Sequence, residues 1–220
     1  MDLGKIQSTS SSIVWALGVV RDPIVEYTLV PDTPQARRPY FYSDPKFSSQ
    51  KIEDVIDFFL QDYESAVERA EILDARILLD TATVAVGKVV EYFNLVSLSA
   101  RQTLAGFDIT VGQENMNDIK SFTKNTGVAS ITNNVPTFYA SLPAFLYLNA
   151  TWVGYLLDSS LELQNVALPV NNFAASSDLG PYPKASGSVP SGVEGKLVSD
   201  FSQKLLKSSH YEYQIQGQCL

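Results

Sequence analysis

Four side chains in this sequence have the types and spacing for chemistry: Arg101 and Gln102 within Leu98-Ser99-Ala100-Arg101-Gln102, and Asp178 and Tyr182 within Asp178-Leu179-Gly180-Pro181-Tyr182-Pro183. An arginine fork grips a carboxylate through two parallel hydrogen bonds. An aspartate orients a water molecule or an ammonium group, although hydrolysis of an amide by carboxylates needs a second acid or base beside the first. Asp178 and Tyr182 lie on a glycine- and proline-rich stretch, the kind of loop on which functional residues concentrate. Around Arg101, the residues Phe93, Val96, Ala100, Leu104 and Phe107 recur at helical steps with Tyr92, Leu95 and Leu98 beside them, which predicts a helix buried over most of its circumference. Arg101 then stands in an apolar wall. It requires an acidic group opposite, either a structural partner or a ligand, because an unpaired buried charge is costly.

Other motifs carry less. Ser-x-x-Lys occurs at Ser43/Lys46, Ser48/Lys51 and Ser121/Lys124, a spacing that suits a serine nucleophile and a lysine base. None has the accompanying motifs of such enzymes, and no role is assigned to them. His210 is the single histidine and stands in a polar tail, a poor place for a catalytic triad. The residues show no metal-ligand spacing and no glycine-rich phosphate cradle, so neither a metal nor a cofactor is expected. Asn149-Ala150-Thr151 reads either as an N-glycosylation acceptor or as a helix cap.

The elements that must position these residues follow from patterning. Ile13 to Val20 and Ile24 to Val30 read as two strands around the corner Arg21-Asp22-Pro23, and two strands alone cannot bury a sheet. They are therefore expected to be the last strands of a larger β domain. Residues 31–48, with four prolines, read as an irregular crossing. Ser48 or Ser49 then caps a long amphipathic helix running from Ile52 through Ile77, whose acidic face is a solvated exterior. A break at Thr81 to Gly87 turns the chain into the Arg101 helix, so residues 49–107 form a helical hairpin. Residues 110–135 read as a polar loop with a short strand near Val128 to Ile131, and Asn149 introduces a helix over about 151–163. Asn171 to Gly195 reads as loop, and Val198 to Leu206 as a final amphipathic stretch.

Bulk properties narrow the function. A net charge of -8 repels phosphate backbones, which argues against nucleic-acid partners. Cys219 is the single cysteine, so no internal disulfide forms. Val135 to Leu157 is free of charge, but Pro136, Pro143 and Asn149 interrupt it and no basic cluster flanks it, so no membrane span is expected. Met1 to Ile6 lack the basic and apolar run of a signal peptide.

Several blocks together resemble the fungal glutaminase A family. They are Ile13 to Pro23, Arg38-Pro39-Tyr40-Phe41, Phe58 to Tyr63 with Ala66 and Leu73-Asp74, Leu98 to Gln102, Leu142 to Asn149 and Asp178 to Gly187, in the expected order across residues 13–187. The resemblance implies a secreted or extracellular amidohydrolase that converts glutamine to glutamate and ammonia. It implies a mainly α fold, a partial α/α toroid of helical hairpins preceded by the last strands of a β-sandwich. Residues 1–45 would hold the sandwich remnant and crossing, 46–187 the first part of the toroid, and 188–220 an unmatched tail.

Two readings of function follow. In the first, Arg101 holds the α-carboxylate of glutamine with Gln102 and Tyr182 nearby, and Asp178 positions water or the ammonium. In the second, the chain is a truncated or decayed paralogue without catalysis that at most binds a partner. It rests on Ser188 to Gly192, which replace the family's His and acidic stretch, and on the incomplete toroid; Ser177, which stands where the family usually has a histidine, is a further departure. Too few helices are present to close a toroid, so the apolar faces at 49–107 and 143–163 are expected to be exposed and to favour self-association.

Overall fold

The computed structural model describes residue 8 and residues 13–30, 33–47, 49–125, 127, 130–167 and 177–187. The β-branched run after Pro23 forms β1 (Val25–Val30), which turns back into β2 (Thr33–Pro39). Two short 3-10 turns lead to α1 (Ile52–Gln61), α2 (Tyr63–Val84) and α3 (Val89–Ala105). The chain then returns to the sheet as β3 (Phe107–Gly112), β4 (Ile119–Asn125) and β5 (Ile131–Thr132). It continues through α4 (Val135–Asn149) and α5 (Thr151–Ala167) to the short β6 (Lys184–Ala185).

The strands join in the order β5-β4-β3-β2-β1-β6, with β1 and β6 parallel and the other neighbours antiparallel. This corrects the expected fold class. The first strands are not the leftover edge of a sandwich ahead of a helical toroid; they are the middle of one sheet whose other strands come from 107–132 and 184–185. Helix α5 packs on both β1 and β4, which β2 and β3 separate, so the sheet curls around that helix. Across the curl the rings of Tyr27 and Phe122 meet edge to face, 5.6 Å apart. They share one core with Val25, Leu163, Leu179 and Ala185, while Phe138, Phe145, Val153 and Leu156 form a second between α4 and α5.

Local expectations fare unevenly. Ile13 to Val20 form no strand and lie exposed, with no neighbouring strand to accept their backbone groups. The crossing contains β2 in spite of its prolines. β3 pairs only with Arg37 to Pro39, so Pro34 sits where one side of β2 needs no N–H donor. The long helix is two, broken at Asp62, and its cap position is Lys51 rather than a serine. Ser49 still contributes: its Oγ accepts the Lys51 N–H at 3.3 Å and donates to Asp54. The break before α3 falls at Ala85 to Lys88, and α5 begins where Asn149 Oδ1 accepts the Thr151 N–H at 3.0 Å. Residues 110–135, read as loop, hold most of β3 to β5. Val198 to Leu206, His210 and Cys219 lie outside the described residues.

The helical hairpins differ in burial. On α4 and α5, Phe145 and Leu156 are buried. On α1 to α3, Phe59, Ile72, Leu79, Val90 and Leu95 are all more than half exposed, so that apolar face is uncovered as expected for 49–107 but not for 143–163. No described helix is long and apolar enough to cross a membrane.

Candidate functional site

The sheet is sealed by the segment that carries Asp178 and Tyr182. The Leu179 N–H donates to the Thr132 carbonyl at 2.8 Å, the Thr132 N–H to the Gly180 carbonyl at 2.8 Å, and the Tyr182 N–H to the Ser130 carbonyl at 2.6 Å, all at the β5 edge. Two residues later Lys184 and Ala185 pair with Glu26 and Tyr27 at the opposite edge. Residues 177–187 thus strap one edge of the curl to the other. Gly180 and Gly187 hold φ of 94° and 81°, which side chains other than glycine adopt at a cost, and the Gly187 N–H returns to the Leu179 carbonyl at 2.8 Å.

Asp178 works within this strap. Its Oδ1 accepts the Gly180 N–H at 2.9 Å and its Oδ2 accepts the Ser177 hydroxyl at 2.9 Å, an Asx turn that holds the corner of the strap. Tyr182 instead faces a charged cluster. Its hydroxyl lies 3.5 Å from Asp108 Oδ2, at the outer limit of a hydrogen bond. The Lys124 ammonium holds the same carboxylate at 2.9 and 3.1 Å and lies 5.6 Å from the centre of the Tyr182 ring. The Arg21 guanidinium stacks over that ring at 5.0 Å. Burial pushes the Tyr182 phenol above its ordinary pKa, and the negative charge of Asp108 adds to the rise. The phenol is therefore a proton-bearing donor at neutral pH.

Strand geometry brings this cluster together. Asp108 lies directly opposite Phe122, and Lys124 stands two residues along β4 from Phe122 and so projects from the same face. The Lys124 N–H bonds the Gly106 carbonyl at 2.8 Å, and a Cβ at Gly106 would meet the Lys124 carbonyl at 3.1 Å. Gly106 thus lets the end of α3 come close to β4. Two residues on the other side of Phe122, Lys120 begins a second charged group. Its ammonium pairs with Glu162 at 2.8 Å and Asp118 at 3.3 Å, and Asp118 also binds the buried Arg37. Burial and Glu162 both raise the Tyr27 phenol pKa, and Tyr27 donates to the Ser159 carbonyl at 2.5 Å. Among the described residues Arg37 is hydrogen-bonded to Thr110 and Asp118, which makes this second group a structural clamp among β1, β2, β3, β4 and α5.

The four sequence candidates therefore separate. Asp178 and Tyr182 share the strap. Arg101 and Gln102 are exposed on α3 and make no side-chain hydrogen bond or ion pair with a described residue, which corrects the expectation that Arg101 is buried against an acid. The periodicity around Arg101 is real, but most of the helix surface it marks is uncovered. Asp108, Lys124 and Arg21 were missed. For Asp108 the signal was the alternation of apolar and polar residues in Phe107-Asp108-Ile109-Thr110-Val111, split between the end of the expected helix and the start of the expected loop. Lys120 to Lys124 holds one apolar residue and Arg21 sits in the expected corner, so neither gave such a signal. Chemically the cluster offers two cations, one carboxylate and one phenol donor, a net positive site with one acidic group in it. No three of His, Cys, Asp and Glu converge as a metal site among the described residues.

A family model for the glutaminase A six helical-hairpin domain matches residues 90–206, and a model for a domain of unknown function, DUF5127, matches residues 1–80. No curated protein and no solved structure matches the chain.

Proposed function

Because the chain belongs to the glutaminase A family, we propose that it is a glutamine amidohydrolase, adding water across the side-chain amide to give glutamate and ammonia. Family membership over a span that contains both the strap and the Asp108 and Lys124 pair carries this reading. Glutamine presents a carboxylate and an ammonium on one carbon. Lys124, Arg21 and the Tyr182 hydroxyl suit the carboxylate, and Asp108 suits the ammonium. Asp178 holds the strap that presents Tyr182 and is the acid nearest to it in sequence. Arg101 and Gln102 stand exposed on α3, and their place in this reading comes from family membership.

The test is release of ammonia and glutamate from glutamine by the purified chain. Turnover that falls at least tenfold in Lys124→Met and in Asp178→Ala, with far-UV circular dichroism unchanged, supports the reading. Turnover unaffected by both removes the cluster and the strap from the site, and unchanged turnover in Arg101→Ala removes Arg101. A second reading, a binding protein without catalysis, draws on Ser177, which stands where the family usually has a histidine and is spent on Asp178. Glutamine binding by calorimetry with no ammonia released selects it.

A further inference from the structure

The geometry points to Asn149 as an acceptor of an N-linked oligosaccharide. Asn149-Ala150-Thr151 is the single Asn-x-Ser/Thr triplet with a residue other than proline in the middle among the 220 residues. It falls at the corner where α4 ends and α5 begins, and both Asn149 and Thr151 are exposed. The Asn149 Oδ1 accepts the Thr151 N–H at 3.0 Å, and the Nδ2 makes no hydrogen bond to a described residue. The sequence-level alternative, a helix cap, is thus met by the oxygen alone. Cap and acceptor use different atoms of one amide, so a sugar on Nδ2 leaves the start of α5 intact.

Trp152 and Val153, just past the corner, join the core between α4 and α5, while Asn149 itself stays exposed. Tyr147 donates to Asp80 Oδ2 at 2.5 Å and Arg76 stacks on the Tyr147 ring at 4.6 Å, which ties the end of α4 to the exposed side of α2. A glycan at Asn149 therefore projects into solvent. The transfer uses a lipid diphosphate oligosaccharide as donor. The Nδ2 forms a bond to the anomeric carbon, the bond from that carbon to the diphosphate oxygen breaks, and one amide proton is released as the lipid diphosphate leaves. The amide that caps α5 keeps its oxygen.

The experiment places a secretion signal ahead of the full chain in yeast and measures the intact mass of the secreted product before and after treatment with an endoglycosidase that cleaves the N-glycan. One glycan, removed by the enzyme and absent from both Asn149→Gln and Thr151→Ala but kept in Thr151→Ser, is the expected result. Asn149→Asp, which keeps the oxygen cap, should be secreted unmodified and as stable as the deglycosylated chain. Secreted chain at its unmodified mass, or a glycan that persists in Asn149→Gln, overturns the assignment.

Discussion

Replacing Arg37 with methionine tests whether the charged clamp holds the curled sheet. Arg37 is 1% exposed, and its guanidinium binds the Asp118 carboxylate, the Asp118 carbonyl at 2.6 Å and Thr110 Oγ1 at 3.3 Å. Removing one member of a buried ion pair costs about 3–5 kcal/mol, because the abandoned charge is left without its partner. Here the abandoned carboxylate is 35% exposed and keeps Lys120 at 3.3 Å, which places the expected loss at the lower end, about 3 kcal/mol. With a urea dependence of about 2 kcal/mol per molar, the unfolding midpoint falls by roughly 1.5 M. The double variant Arg37→Met/Asp118→Asn should recover part of the loss, since the stranded charge is gone. Acid gives an independent reading. Burial works to raise the Asp118 pKa, but the hydrogen bond and charge of Arg37, with Lys120, outweigh it and hold the carboxyl below its ordinary 3.8. A depressed carboxyl contributes stability above its unfolded pKa that is lost as pH falls through the folded value. The wild-type chain should therefore lose stability more steeply below pH 4 than Arg37→Met. A loss under about 1 kcal/mol, or parallel acid limbs for the two proteins, refutes the clamp.

Three further outcomes follow from the strap and the helix it faces. Gly187→Ala forces a residue with φ of 81° to carry a Cβ 2.8 Å from Leu163 Cδ2 in the core, and should cost about 2 kcal/mol in chemical denaturation. Gly154→Ala, exposed in α5 with nothing within 4 Å of its Cβ, should instead stabilise by up to about 1 kcal/mol. The raised Tyr182 phenol contributes stability that is present below pH about 10 and is lost as pH climbs toward the folded pKa. Ultraviolet titration should accordingly show one late-ionising tyrosine fewer in Tyr182→Phe; an unchanged count of late phenols would place Tyr182 in solvent.

The sequence made visible what depends on neighbours along the chain. β1 was legible from its β-branched run, the end of α2 from Gly87, the start of α5 from Asn149, and the strap as a loop from Gly180, Pro181, Pro183 and Gly187. What it hid depends on partners far away. β3 and β4 mix Asp108, Thr110, Lys120 and Lys124 with apolar residues, and such positions look like loop until a helix arrives to cover one face. α5 is that helix, and its first residue, Thr151, comes 26 residues after the last of β4, Asn125. Arg101 shows the converse. Helical periodicity tells which residues share a face, never whether anything lies on it, and on α3 only Ser97 is buried. The candidate site divided in the same way, since the loop motif pointed to Asp178 and Tyr182 while Asp108, Lys124 and Arg21 became neighbours of Tyr182 only through the sheet.

The two family-model matches meet near residues 80–90, at the turn between α2 and α3, yet that boundary does not separate two folding units. Cut at Ala85 to Lys88, the first piece keeps β1 and β2 and the second keeps β3 to β6. The cut would divide the β2 ladder with β3 at Arg37 to Pro39, the β1 ladder with β6, the Arg37 and Asp118 pair and the Tyr27 bond to Ser159. It would also part Val25 and Tyr27 from Phe122, Leu163, Leu179 and Ala185, the whole of their shared core. A two-stranded hairpin does not hold itself together in water, and this one would expose Val25 and leave Arg37 without a carboxylate. The pieces 1–86 and 87–220, expressed apart, should each give poorly dispersed amide NMR spectra. Mixed, they should recover dispersed spectra and one cooperative melt, because every contact across the cut is non-covalent. A first piece that folds alone with Tyr27 protected would show that the hairpin carries its own core. In that case the sheet joins two finished domains rather than creating one.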